Sequence, residues 1–237
     1  MKKKLLIAII ALLCLGLIVT AVVYFTAIRP DQIKKREQQK LVAQYRSEKL
    51  ERYRQENEQY RNYQVDVAFL GDSLTDGYDL ETYYPQYLVS NRGIGGDTTF
   101  TLEERLEVSV YDLKPKVAVM LIGGNNPETM FDNYENILIG LRNNLPGTKI
   151  VLLSLTSMSQ DWGKYNQLAA YNNVKIKKLA QKYGFAFVDL YSPLMDLSTG
   201  ELCAEYTTDG AHLTPQGYQV LTEQITPVLQ ALVPMDQ

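Results

Sequence analysis

Ser73 stands in Gly71-Asp72-Ser73-Leu74, directly after the apolar run VAFL. A serine at a strand-to-helix turn has an exposed hydroxyl, and a helix N-terminus favours negative charge developing beside it. The same position also suits a plain helix cap. A hydroxyl becomes a nucleophile only with a base to take its proton. The chain has one histidine, His212, in Asp209-Gly210-Ala211-His212 ahead of Leu-Thr-Pro and a helical pattern. A carboxylate and an imidazole three residues apart on one turn can hydrogen-bond, which fixes the tautomer and stabilises the imidazolium. The alternative is a surface loop with a helix cap at Thr214. If a histidine activates a serine here, the assignment to His212 is forced.

Two further stretches, Asn91-Arg92-Gly93-Ile94-Gly95-Gly96-Asp97-Thr98 and Gly123-Gly124-Asn125-Asn126, each follow an apolar run. The first offers glycine backbone N–H groups, the second a side-chain amide. Acyl transfer passes through a tetrahedral oxyanion, where preorganised donors contribute several kcal/mol. Either stretch alone would also serve as a turn. A phosphate cradle is excluded. The Lys-Ser/Thr of a P-loop is absent, and Thr98 stands where a third dinucleotide-motif glycine would be.

Something must hold these groups at one place. Short apolar runs at 65–71, 87–94, 117–123, 149–156 and 185–190 end near Gly, Asn or Ser. Helical patterns lie between them near 99–112, 131–144 and 163–183, and a last one near 215–232. Apolar strands alternating with helices imply a mainly parallel sheet covered on both faces. The expected fold is a three-layer α/β/α, flavodoxin-like sheet of about five mainly parallel strands. Ligand sites of such sheets lie beyond the C-terminal ends of the strands, and each polar stretch falls at such an end.

Taken in order, the four stretches resemble the SGNH (GDSL-type) hydrolase family, from about Val65 to Leu232. Its signature residues map onto Ser73 in GDSL, Gly96 in GIGGDT, Asn125 in GGNN and His212 in DGAH, with Asp209 three positions before the histidine. The resemblance implies a serine esterase with Ser73 as nucleophile, His212 as base and Asp209 orienting it. It also implies an oxyanion hole of the Ser73 N–H, the Gly96 N–H and the Asn125 amide. Asn126 departs from the family, where many members have Asp. No cofactor is implied, and a lone histidine without cysteine clusters disfavours a metal site.

Charge divides the chain. Residues 1–28 carry +3 and residues 29–64 carry +4, so residues 65–237 carry −10 of the total −3. An acidic domain is a poor nucleic-acid binder, because phosphate neutralisation needs Lys/Arg. The basic segment suits anionic lipid headgroups or wall polymers. Cys14 and Cys203 lie in different segments and are not expected to pair.

From Leu5 to Ile28 the chain runs 24 residues without a charge, about 36 Å as a helix against a bilayer core of about 30 Å. A cleaved signal peptide is the rival, since Val19-Thr20-Ala21 resembles a cleavage site, but the apolar run continues seven residues further. Leu13 before Cys14 argues against a lipoprotein. The expectation is a signal-anchor over 1–28, a charged helical spacer over 29–64 and the catalytic domain over 65–237. Such a protein sits single-pass in the cell membrane with its domain outside, although lysines and arginines flank the span on both sides. Its substrates would be small-molecule or glycan esters, foremost acetyl esters of envelope glycans, since no long insertion forms a lid. Acyl hydrolysis of lysophospholipid or thioester type, and O-acyltransfer on the same fold, are the alternatives. Tyr78, Tyr83, Tyr84 and Trp162 are equally readable as cleft lining or packing. Oligomeric state is not legible.

Overall fold

The computed structural model describes residues 2–234; the side chains of residues 2, 7, 8, 11, 27, 28 and 31 lie outside that description. Two compact units meet in sequence between Lys49 and Leu50. Helix α1 (Lys2–Val23), a π-helical turn (Tyr24–Ile28) and helix α2 (Arg29–Gln59) open the chain. Along α1, large apolar side chains such as Leu12 and Leu17 are exposed. Among the described residues no helix is long and apolar enough to cross a membrane, so the structure lends the expected anchor no support.

The second unit begins at Leu50 rather than at Val65, where composition alone puts the boundary. The last turns of α2 are charged, yet they bury Tyr53, whose hydroxyl donates to the Gly93 carbonyl at 2.7 Å. Asn57 donates to the Val108 carbonyl at 2.7 Å. One buried tyrosine in a polar helix leaves no apolar stripe for a sequence pattern to detect.

Beyond α2 come β1 (Val67–Gly71), α3 (Ser73–Asp76), α4 (Leu80–Tyr83), β2 (Val89–Gly93), α5 (Thr99–Glu103) and β3 (Val117–Leu121). There follow α6 (Tyr134–Asn144), β4 (Lys149–Leu153), α7 (Asn166–Tyr183), β5 (Ala186–Val188) and α8 (Tyr191–Leu194). A two-stranded hairpin, β6 (Met195–Asp196) and β7 (Glu201–Leu202), precedes α9 (Pro215–Leu232). The main sheet is parallel throughout, in the order β2-β1-β3-β4-β5. All five expected strands are present, each shorter than its apolar run.

Every residue of β1 and β3 is buried, which is why both read as unbroken apolar runs. Their side chains alternate between two cores. Val67, Phe69, Val117 and Val119 pack with Leu221, Ile225 and Leu229 of α9. Leu70, Ala118 and Met120 pack with Ile137 and Leu141 of α6 and Ile176 of α7. Strand β2 is an edge strand and only partly covered, so its pattern is weak. The helix expected over 99–112 breaks into α5 and a π-helical turn, Glu107–Tyr111.

The chain leaves β1 toward β2 on one side and reaches β3 on the other, so the order reverses at β1. The crevice at that switch point is where a ligand is expected. Ile225 is fully buried in the core that seals one sheet face. Ile225→Ala is expected to cost about 2–5 kcal/mol in urea unfolding. A loss near zero would mean that α9 does not seal that face.

Candidate active site

The turn after β1 is set by close contact. A Cβ on Gly71 would stand 2.4 Å from the Leu121 carbonyl oxygen and 2.1 Å from Thr75 Oγ1, so only glycine lets β1 pass β3 here. Asp72 caps α3 by accepting from the Leu74 N–H at 3.1 Å. Ser73 is the first helical residue. The cap and the nucleophile readings of this motif are therefore divided between two neighbours. Because α3 is a single turn, its dipole offers little, and oxyanion stabilisation falls to individual N–H donors.

The second loop is equally constrained. Gly210 has φ +89°, and a Cβ there would lie 2.2 Å from the Ser159 carbonyl oxygen. The Thr207 hydroxyl donates to the His212 carbonyl at 2.8 Å and accepts from the Gly210 N–H at 2.8 Å. Asp209 Oδ1 accepts from the N–H groups of Ala211 and His212 at 3.0 and 2.8 Å. Those bonds lock the carboxylate beside the ring.

Asp209 Oδ2 lies 2.7 Å from His212 Nδ1, and His212 Nε2 lies 3.0 Å from Ser73 Oγ. The bond from His212 holds the Asp209 carboxyl down at about 2, its backbone donors assisting against burial. An ionised carboxylate only accepts. Nδ1 therefore carries the proton, and Nε2 presents a lone pair to the Ser73 hydroxyl. Both side chains of the Asp209–His212 pair are about half exposed.

Ser73, Asn125 and His212 share a cavity of about 60 Å³, with apolar walls from Leu74, Leu121, Leu155, Met158 and Trp162. Asn125 donates one amide hydrogen to the Asp97 carbonyl at 2.9 Å, and an amide has a second to give. Gly96 is not among the lining residues. It stands in the loop from β2 to α5; the Cβ position of its neighbour Gly95 is 4.0 Å from Ser73 Cβ. The departure at Asn126 is explained by its bonds. Its Oδ1 accepts from the Thr99 N–H at 3.2 Å, and its Nδ2 donates to Thr99 Oγ1 at 3.0 Å. Thr99 Oγ1 gives its one hydrogen to Asn133 Oδ1 at 2.6 Å, so toward residue 126 it can only accept, which suits an amide and not a carboxylate.

Of the four aromatic residues singled out in the sequence, only Trp162 lines the cavity. Tyr78 and Tyr84 are buried, with their hydroxyls 3.0 Å apart and Thr222 Oγ1 2.6 Å from that of Tyr78. Tyr83 donates to the Pro215 carbonyl at 2.9 Å. These three are packing residues. The walls from 155 to 158 were not singled out, although they follow β4 and the rule for strand ends points to them. The buried pair Asp97–Arg105 was also missed. Among the described residues no group of three His, Cys, Asp or Glu could hold a metal ion.

Residues 69–220 match the family of GDSL-like lipases and acylhydrolases. The chain belongs to this family, the SGNH hydrolases, and is a carboxylic ester hydrolase. Among solved structures it is similar to a candidate platelet activating factor from Streptococcus pneumonia, with 27% identity and a TM-score of 0.68 over 84% of this chain and 99% of that one. A GDSL-like lipase from Bacteroides thetaiotaomicron matches at 23% identity and a TM-score of 0.69, over 78% and 98%. An acetyl xylan esterase from Geobacillus stearothermophilus matches at 20% and 0.58, over 71% and 95%. The last two likenesses establish the fold alone. No curated protein matches the chain.

Asp72 also lines the cavity, and burial pushes its carboxyl up from 3.8 to about 6 against the Leu74 N–H; Asp97 adds to the rise and His212 opposes it. A carboxyl with a raised folded pKa opposes folding once ionised, so stability falls as pH rises from about 4 through about 6. A shift of that size corresponds to about 3 kcal/mol. Urea unfolding from pH 4 to 7 is expected to show wild type losing stability relative to Asp72→Asn over this window. Parallel curves would overturn the assignment.

Proposed function

We propose that the chain is a serine esterase acting on short-acyl, foremost acetyl, esters of cell-envelope glycans. The observation that carries this reading is His212 bridging Asp209 and Ser73 at 2.7 and 3.0 Å on the wall of the cavity. Ser73 Oγ bonds to the acyl carbon as its proton passes to His212 Nε2. The tetrahedral oxyanion is held by the Ser73 N–H, the Gly96 N–H and the free hydrogen of the Asn125 amide. Collapse breaks the ester C–O bond, and the imidazolium returns its proton to the departing alcohol. Water, deprotonated by the same nitrogen, then releases the acid and restores Ser73.

The support for a short acyl group is space. A cavity of about 60 Å³ with apolar walls suits a methyl better than a long chain. The acetyl xylan esterase is a precedent for an acetyl-sugar substrate on this fold. Hydrolysis of p-nitrophenyl acetate, butyrate and octanoate is expected to fall with chain length and to vanish in Ser73→Ala. Rates rising toward octanoate would move the substrate to lipids, and activity surviving in Ser73→Ala would refute the nucleophile.

The same reading makes the protein membrane-anchored, with its catalytic unit on the outer face. Its support is the 24-residue uncharged run and the exposed apolar side chains along α1, which water solvates poorly. High-pH or high-salt extraction of membranes is expected to leave the full-length chain behind. Its release would refute the anchor.

A further inference from the structure

Two arginines lie in the interior of the second unit next to the site without touching the cavity. Arg105 is almost fully buried. Its Nε donates to Asp97 Oδ2 at 2.6 Å and its Nη2 to the Gly71 carbonyl at 3.0 Å. Its Nη1 donates to the Arg92 carbonyl at 2.9 Å and to Ser109 Oγ at 2.7 Å. Gly71 is two residues before Ser73, and the Asp97 carbonyl is the group that holds the Asn125 amide. One guanidinium thus fixes the main chain leading into the nucleophile and the loop that aims the amide.

Arg92, fully buried, gives Arg105 only its backbone carbonyl and sends its own guanidinium toward α2. Its Nε donates to Ser90 Oγ at 2.7 Å and its Nη1 to the Tyr53 carbonyl at 3.2 Å. Its Nη2 is paired with Glu56 Oε2 at 3.0 Å without hydrogen-bond alignment. Its guanidinium lies 4.7 Å from the centre of the Tyr53 ring, and the Tyr53 hydroxyl holds the Gly93 carbonyl. The grip on the end of β2 therefore comes from the last turns of α2.

We propose that Arg105, with Arg92 anchored by Tyr53 and Glu56, is a positioning assembly for the Asn125 amide. The proposal rests on the reading of Asn125 as an oxyanion donor. Bonds of this kind hold a donor to within tenths of an ångström, and misplacement by about 1 Å costs on the order of 10²-fold in rate. None of the four residues touches substrate. Their effect on the Asp97 loop passes through Asn125 and appears in kcat, with KM left in place, while Arg105 also acts on the Ser73 turn through the Gly71 carbonyl.

The test is a double-mutant cycle in the full-length chain, with p-nitrophenyl acetate as substrate and thermal unfolding measured alongside. Asn125→Ala is expected to lower kcat roughly 10²–10³-fold. Tyr53→Phe combined with Glu56→Gln is expected to lower it about tenfold at unchanged KM, and Arg105→Lys by more. In the Asn125→Ala background the loss from Tyr53→Phe with Glu56→Gln is expected to disappear, because the group being aimed is gone, and the loss from Arg105→Lys to shrink to the part that acts through Gly71. Restoring Glu56 alone is expected to recover part of the rate. Losses that multiply equally in both backgrounds would reveal general loosening of the fold and overturn the proposal. So would unchanged kcat in the Tyr53→Phe, Glu56→Gln protein, the mild variant that decides the matter if Arg105→Lys fails to fold. If Asn125→Ala alone leaves kcat intact, the oxyanion reading itself falls and takes the proposal with it.

Discussion

A guanidinium removed from water must have its N–H groups satisfied by the protein, or the fold loses several kcal/mol. Arg105 meets this demand with acceptors from four separate places: the end of β1, the end of β2, the Asp97 carboxylate and the Ser109 hydroxyl. The arginine thereby ties the end of β1, thirty-four residues away, to the stretch from β2 to Ser109 that surrounds it. The site is assembled where they meet. Truncating the arginine would remove the ion-pair partner of the buried Asp97 carboxylate, although Thr101 Oγ1 still donates to that carboxylate and the Ile94 N–H to the Gly71 carbonyl.

The parallel sheet supplies the second constraint. Its strands cannot be joined by tight hairpins, so every connection crosses over and every strand points the same way. The groups that follow β1, β2 and β3 therefore emerge along one edge. That is why much of the site was legible in the sequence. A glycine-flanked polar stretch after an apolar run marks a strand end, and a single histidine leaves no choice of base. Unbroken apolar runs gave β1 and β3 because both are covered on both faces, while the partly covered β2 left a weaker pattern. The rest was illegible for equally physical reasons. Arg105 and Asp97 form one buried ion pair, and charged residues carry no mark of burial in their own type. Tyr53 is buried from a helix that is otherwise polar, so composition put the domain boundary fifteen residues late. Tyr78 and Tyr84 look like lining residues because they follow the serine, but their hydroxyls satisfy one another within the core. For Gly96, sequence gives the loop but not the distance of its N–H from the reacting atoms.

Asp72 illustrates how stability and chemistry compete at such a turn. The cap it provides needs a carboxylate or an amide, and the position needs burial against the Gly124 loop, where a Cβ on Gly124 would stand 3.7 Å from its Oδ2. Burial favours the neutral form and the cap favours the charged one. Burial dominates, as the raised value shows. The two carboxyls nearest the imidazole are thereby driven apart. Asp209, half exposed and bonded to His212, stays ionised, while Asp72, enclosed, resists ionisation. With its value raised to about 6, Asp72 is still largely ionised at neutral pH, so burial delays its charge and costs stability rather than removing the charge.

The exposure of the imidazole bears on what happens after acylation. His212 and Asp209 are each about half open to solvent, while the cavity that His212 shares with Ser73 is small and mostly apolar. An acyl group seated in that cavity leaves the histidine's outer face to the departing alcohol and then to whatever replaces it. Water at about 55 M in bulk needs no binding site to reach Nε2. A transferase must exclude it with a closed acceptor site, because an acceptor alcohol at millimolar levels cannot compete by concentration. The open side of the imidazole therefore favours deacylation by water, which is the hydrolase outcome.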